Sequence, residues 1–154
     1  MRGNEKVIAV LNEALKEELT AINQYFIHAE MSENWGYKKL SAFIKKQSID
    51  EMKHAEALIE RILFLDGIPK MAELMSLNIG QSVKAQIEND LKLELNAVVM
   101  YNAAAKAAVE AGDNASRELI TRLLKDEEAH VDWLETQLHV IKEVGIENYL
   151  AQLA

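Results

Sequence analysis

The sequence predicts an all-α protein: a four-helix bundle of two pseudo-repeated hairpins joined by a long crossover, with a short fifth helix at the C-terminus. Three observations predict it. Only six glycines and one proline interrupt 154 residues, too few for a chain rich in turns. Four long segments carry apolar residues at the three-to-four spacing of a buried helix face. No segment alternates apolar and polar residues as a half-buried strand would. The length suits a single domain over 1–154, large enough to bury a core without disulfides.

The first helix is expected over about 4–33, opened by Asn4 as N-cap and closed before Asn34-Trp35-Gly36. Its stripe reads Ile8, Leu11, Leu15, Glu18, Ile22, Tyr25. The second, about 37–65, stops at Asp66-Gly67-Ile68-Pro69, where Gly and Pro both end helices. Its stripe reads Leu40, Ile44, Gln47, Glu51, His54, Leu58, Leu65. Residues 66–81 form the crossover. The third helix opens near Ser82 and runs to about 111, before Gly112-Asp113, with the stripe Val83, Ile87, Leu91, Glu94, Val98, Tyr101. The fourth covers about 114–144, with Ile120, Leu123, Glu127, His130, Leu134, Ile141. Gly145 ends it, and a short helix over 146–153 completes the chain. In every stripe an ionisable group occupies a place where Leu is expected.

Those anomalies repeat. Glu18 and Glu94 lie 76 positions apart, as do Glu51 and Glu127, His54 and His130, and Tyr25 and Tyr101. Asp50 and Asp126, Leu58 and Leu134, and Gly36 and Gly112 keep the same offset. Each half therefore reads Glu-x6-Tyr, then a turn, then Asp-Glu-x-x-His. Counted from its turn glycine, each Glu of the first helix and each His of the second stand level, about 27 Å along antiparallel helices. Glu and His of each Glu-x-x-His pair point the same way. Two hairpins packed face to face thus bring four carboxylates and two imidazoles around one point.

A single Glu-x-x-His is weak, because most helix-face charges are merely solvated. Two of only four histidines in this form, each with a partner Glu at a common offset, are far more specific. Buried carboxylates must be paired, protonated or bound to metal, and no Lys or Arg lies in the stripes at that level. Four carboxylates balance two divalent ions. The oxygen-rich donor set with two nitrogens suits Fe or Mn, and Zn as a redox-silent occupant. It is the donor pattern of the di-metal carboxylate bundles.

Composition limits the rest. Seventeen basic against twenty-five acidic residues give a formal charge of −8, which argues against nucleic acid or an anionic membrane as partner and suits attraction of cations. The absence of Cys removes disulfides, thiolate metal sites and Cys nucleophiles. The first fifteen residues lack an uninterrupted apolar core, and no stretch reaches the roughly 20 apolar residues of a span, so a cytoplasmic location is expected.

With these residues in view, EELTAINQYF (17–26), SIDEMKHAEALIERILFL (48–65), LKLELNAV (91–98) and KDEEAHVDWLETQL (125–138) give the chain a resemblance to the bacterioferritins along essentially its whole length. The resemblance implies a 24-subunit homo-oligomeric cage of dimers that stores ferric mineral, with a di-iron ferroxidase centre in each bundle. It implies Glu18, Glu51, His54, Glu94, Glu127 and His130 as ligands, with Glu51 and Glu127 bridging, and O2 or H2O2 as oxidant. It further implies Met52 as axial ligand of a haem b, one per subunit pair, shared across a two-fold axis. Met52 lies on a different face from the di-metal stripe, where Leu19, Ile22, Phe26 and Ile49 complete an apolar slot. Tyr25 and Tyr101 read either as hydrogen-bond partners of the carboxylates or as core aromatics, Trp35 and Trp133 as packing, and His28 and His139 as without a role.

A small ferredoxin is the reductant the resemblance implies, and Ile68, Pro69, Met71 and Leu74 are candidates to meet it. One departure stands out: relatives carry a His and acids on the inner surface of the second helix, whereas this chain has Lys46 and Gln47 and keeps only Asp50. Iron is then expected to pass through the ferroxidase centre, with His130 as a gate. The competing readings are a di-iron oxidase or peroxidase without storage, and a non-catalytic, metal-stabilised assembly.

Overall fold

Capping chemistry sets the helix ends in the computed structural model, which describes residues 1–154. Helix α1 spans Glu5–Asn34 because extended Asn4 turns its side chain onto the Lys6 and Val7 N–H groups, at 2.8 and 3.3 Å. It stops where Gly36 takes φ +91°, which lets the Tyr37 N–H return to the Ser32 carbonyl at 2.9 Å. Helix α2 covers Lys38–Phe64, α3 Val83–Glu110 and α4 Asn114–Val144, with α5 at Ile146–Ala151. Ser82 caps α3 through the Ala85 N–H, and Asp113 caps α4 through the Ser116 N–H. Gly112, the repeat mate of Gly36, sits at φ +70° and the Asp113 N–H closes on the Ala108 carbonyl.

The expected elements are all present, most ends within one residue. Helix α5 is shorter than expected, since Gln152 and Leu153 only complete a turn. The end of α2 differs in kind. Asp66, not Gly67, adopts the left-handed conformation, at φ +60°. Gly67 is required for closeness instead: a Cβ there would lie 2.8 Å from Ile8 Cγ2.

Helix α1 packs along α2, α3 along α4, and α1 against α3, while α2 and α4 stand further apart and meet through long side chains. The buried faces run slightly off the expected stripes: Ile8, Ile22, Leu91 and Val98 are only half-buried, whereas Val7, Asp90, Leu93 and Ala97 are buried. The apolar core is split in two. One cluster joins Val7, Leu11, Leu15, Leu58, Ile62, Tyr101, Ile120 and Leu123. The other joins Tyr25, Leu40, Ile44, Val83, Ile87, Leu134, Ile141 and Tyr149. A polar layer separates them.

The crossover has no helix or strand of its own, so its backbone groups need partners from elsewhere. Side chains of α1 supply them. Asn12 Oδ1 accepts from the Lys70 N–H at 2.9 Å and Asn12 Nδ2 donates to the Ile68 carbonyl at 3.1 Å. Thr20 Oγ1 accepts from Met75, Gln24 Oε1 from Asn78 and His28 Nε2 from Gly80, all at 3.0–3.1 Å. Below this ladder Gln24 Nε2 donates to Asp90 Oδ1 at 2.8 Å, and His28 Nδ1 lies 2.9 Å from the same oxygen. His28, which sequence reasoning left without a role, is thus a fully buried fastener of the crossover. Its signal was the spacing Asn12, Thr20, Gln24, His28, polar residues on one helix face.

Candidate metal centre

Four helices contribute to the polar layer: Glu18 from α1, Glu51 and His54 from α2, Glu94 from α3, Glu127 and His130 from α4. Glu18, Glu51, Glu94 and Glu127 are each about 1% exposed. The structure therefore brings together all six residues singled out by spacing. His54 Nδ1 lies 3.0 Å from Glu127 Oε1, 3.4 Å from Glu18 Oε2 and 3.6 Å from Glu51 Oε2. His130 Nδ1 lies 2.9 Å from Glu51 Oε1 and 3.4 Å from both Glu94 Oε1 and Glu127 Oε2. The donor atoms form two overlapping groups, Glu18–Glu51–His54–Glu127 and Glu51–Glu94–Glu127–His130, each with its ligand atoms within 4.8 Å of one another. Glu51 and Glu127 belong to both. The two rings stand 6.5 Å apart.

Two tyrosines reach across the pseudo-two-fold. Tyr101 donates to Glu18 Oε1 at 2.5 Å, and Tyr25 donates to Glu94 Oε1. Each phenol therefore orients the carboxylate of the opposite repeat while its ring fills an apolar cluster, so the two readings of these residues hold together. Burial pushes both phenols well above their usual range, and neighbouring carboxylates add to it, so they stay donors.

The remaining polar atoms are short of partners. Glu18 Oε2, both oxygens of Glu51, Glu94 Oε2 and His130 Nδ1 are buried without a hydrogen bond. Burial raises the Glu18, Glu51 and Glu94 carboxyls, and repulsion among the acids raises them further. Burial alone would push His54 and His130 down, but the close approach of the surrounding glutamates outweighs it and holds both well above the usual imidazole range. Half-buried Glu17 is raised to about 7 by burial and then by Glu18 and Glu94. Without a cation, protons must neutralise this layer. A donor set of four buried carboxylates and two inward-facing imidazole nitrogens, with orphaned oxygens, fits two divalent cations bridged by Glu51 and Glu127.

Access runs along the α2–α4 seam. A cavity of about 390 Å³ is lined there by Asp50, Lys53, His54, Arg122, Asp126 and His130, among others. His54 Nε2 meets Asp126 Oδ2 at 2.9 Å. Asp126 was noted in the sequence only as half of a repeat. Gln47 is 6% exposed and faces the bundle interior, as its place in the α2 stripe predicts, so beside the seam only Lys46 is exposed and Asp50 half-buried. Phe43 and Trp133 stack across the same seam with centroids 4.2 Å apart, a packing contact as expected.

On the opposite, outward side Met52 is 54% exposed, with Phe26 and Ile49 exposed and Leu19 and Ile22 half-buried. That is an apolar face with a soft thioether on it. Ile68, Met71 and Leu74 are exposed on the crossover, while Pro69 is half-buried. No helix is long and apolar enough to cross a membrane.

A family model for the ferritin-like domain matches residues 8–144. Similar proteins include a bacterioferritin of Mycolicibacterium paratuberculosis, 44% identical over 99% of this chain and 96% of its own length. The bacterioferritin BfrA of Mycobacterium tuberculosis is 43% identical over the same shares. A bacterioferritin of Brucella melitensis is 44% identical over 97% of this chain and 92% of its own.

Proposed function

The chain belongs to the ferritin-like family, and from that premise we propose that it is an iron-storing ferroxidase. The observation that carries the reading is the pair of overlapping donor groups sharing Glu51 and Glu127. Fe2+ is the substrate. Two ions enter through the α2–α4 seam, one between Glu18, His54 and the shared carboxylates, the other between Glu94, His130 and the same two. The four carboxylate charges then balance two divalent ions, and the protons that neutralised the empty layer leave.

Oxidation consumes two Fe2+, one O2 and two protons and yields two Fe3+ and H2O2; with H2O2 as oxidant, two waters result. The protein holds both ions at fixed separation and excludes bulk water, while Tyr25 and Tyr101 keep Glu94 and Glu18 aimed inward. His130, at the mouth of the cavity, is the gate through which ferric ion passes to a mineral inside a 24-subunit cage.

Met52 would hold a haem b with the same residue of a second copy, Phe26 and Ile49 packing on the ring. The haem supplies a one-electron couple when bound. A small ferredoxin docking over Ile68, Met71 and Leu74 is the reductant for iron release. The acidic, cytoplasmic reading of the sequence accords with a cation store.

Aerobic Fe2+ loading followed by size-exclusion chromatography tests the reading. On the order of hundreds of irons per chain in a very large particle is expected. About two per chain in a small species would overturn storage and leave a di-iron oxidase.

A further inference from the structure

The 76-residue repeat gives His54 and His130 equivalent places, yet their far ring nitrogens are not treated alike. Both rings turn Nδ1 toward the carboxylates. His54 Nε2 is bonded to Asp126 at 2.9 Å. By the repeat, Asp50 should do the same for His130. It makes no hydrogen bond or ion pair with that ring, and the His130 Nε2 has none at all. Both aspartates line the one cavity, so the difference is not one of access.

An imidazole that offers its Nδ1 lone pair to a cation must carry its proton on Nε2. An acceptor at Nε2 then fixes both the tautomer and the angle of the ring, and raises the basicity of the ligating nitrogen. Swinging the His54 ring out would break the Asp126 bond. His130 has no such cost.

We propose that Asp126 is a positioning residue that fixes the His54 imidazole for a divalent cation, and that the lack of a counterpart at His130 makes the two cation positions unequal in affinity. The proposal rests on the metal centre proposed above. The Glu18–His54 position is the retentive one, filled first and emptied last. The Glu94–His130 position is the exchangeable one.

Anaerobic titration of the intact, metal-free protein with Co2+ alone separates the two ideas, read by calorimetry and by the visible bands of bound Co2+. About two ions per chain are expected, in two steps of unequal affinity. Asp126→Ala should weaken the tighter step by about 10- to 100-fold and so narrow the gap between steps. Asp126→Asn, whose side-chain oxygen still accepts from Nε2–H, should stay within about threefold of the parent. Asp50→Ala removes an equal charge from the same cavity and should leave the ratio of the steps unchanged. The Asp126 side chain is 56% exposed, so the metal-free melting temperature should be the same in both Asp126 variants as in the parent. Unchanged steps in Asp126→Ala, or an Asp126→Asn as weak as Asp126→Ala, would overturn the proposal. A parent protein that takes up no Co2+ would overturn the metal centre itself.

Discussion

Two sets of buried polar groups share α1, which contributes Glu18 to one and Asn12, Thr20, Gln24 and His28 to the other, and the bundle keeps them in opposite ways. In the crossover ladder, Asn12, Thr20, Gln24 and His28 accept from backbone N–H groups of the crossover, and Asp90 is bonded from beneath by Gln24. In the central layer, carboxylate oxygens of Glu18, Glu51 and Glu94 are equally buried and have no partner. A satisfied polar network costs little and holds a segment in place, whereas an unsatisfied one is an expense that a packed core avoids. The first set, whose one atom without a hydrogen bond is His28 Nδ1 beside Asp90, explains itself as structure. The second is left open to a cation, as the proposed function requires.

Substitutions should fall on opposite sides of that comparison. The largest effect is expected in the central layer. Replacing Glu94 and Glu127 together by Ala should slow Fe2+ oxidation, followed by absorbance in a stopped-flow instrument, by more than about 100-fold. Replacing both by Gln, which keeps their shape and a partner oxygen for the histidines, should leave the metal-free urea midpoint unchanged or higher, because it removes desolvated acids that repel one another. A large loss of stability would break the comparison, since it would mean the layer is structural.

Asp90→Ala should do the reverse. It strips the buried acid from Gln24 and His28 and should lower stability by about 3 kcal/mol in urea, while initial oxidation rates stay within about twofold. Slow oxidation with intact stability would join the two layers into one.

The smallest effect sharpens the border between them. Glu17 has a carboxyl raised from 4.5 to about 7 in the folded chain. The unfolded chain releases that proton first, so metal-free stability falls as pH rises through this window and the loss is complete above it. Glu17→Gln should therefore raise the metal-free melting temperature at pH ~8 and leave it unchanged at pH ~4. Equal shifts at both values would assign the gain to something other than ionisation.

The sequence carried the bundle and the six inward groups because both depend on period. Apolar residues three and four apart mark the helices, and the 76-residue offset repeats every ligand candidate. What it did not carry depends on contacts between distant segments. Nothing local distinguishes the buried Asp90 from an exposed acid, since its burial follows from Gln24 and His28 on another helix. The left-handed residue that ends α2 is Asp66 rather than the neighbouring glycine, and Gly67 is needed for its close approach to Ile8, a contact between distant segments. Asp126 and Asp50 read identically in the repeat, and only their side-chain contacts at the α2–α4 seam separate them.

The split core has a further consequence for how the chain finds its fold. Long amphipathic helices can slide past one another by a turn, about 5.4 Å, and still bury leucine against leucine. Here a slide of one hairpin along the other would drive its glutamates into one of the two apolar clusters and strand them there. The polar layer thus works as a registration mark. It admits a single alignment of the two hairpins, and the shape that can grip two ions is the same shape that rejects every misaligned bundle.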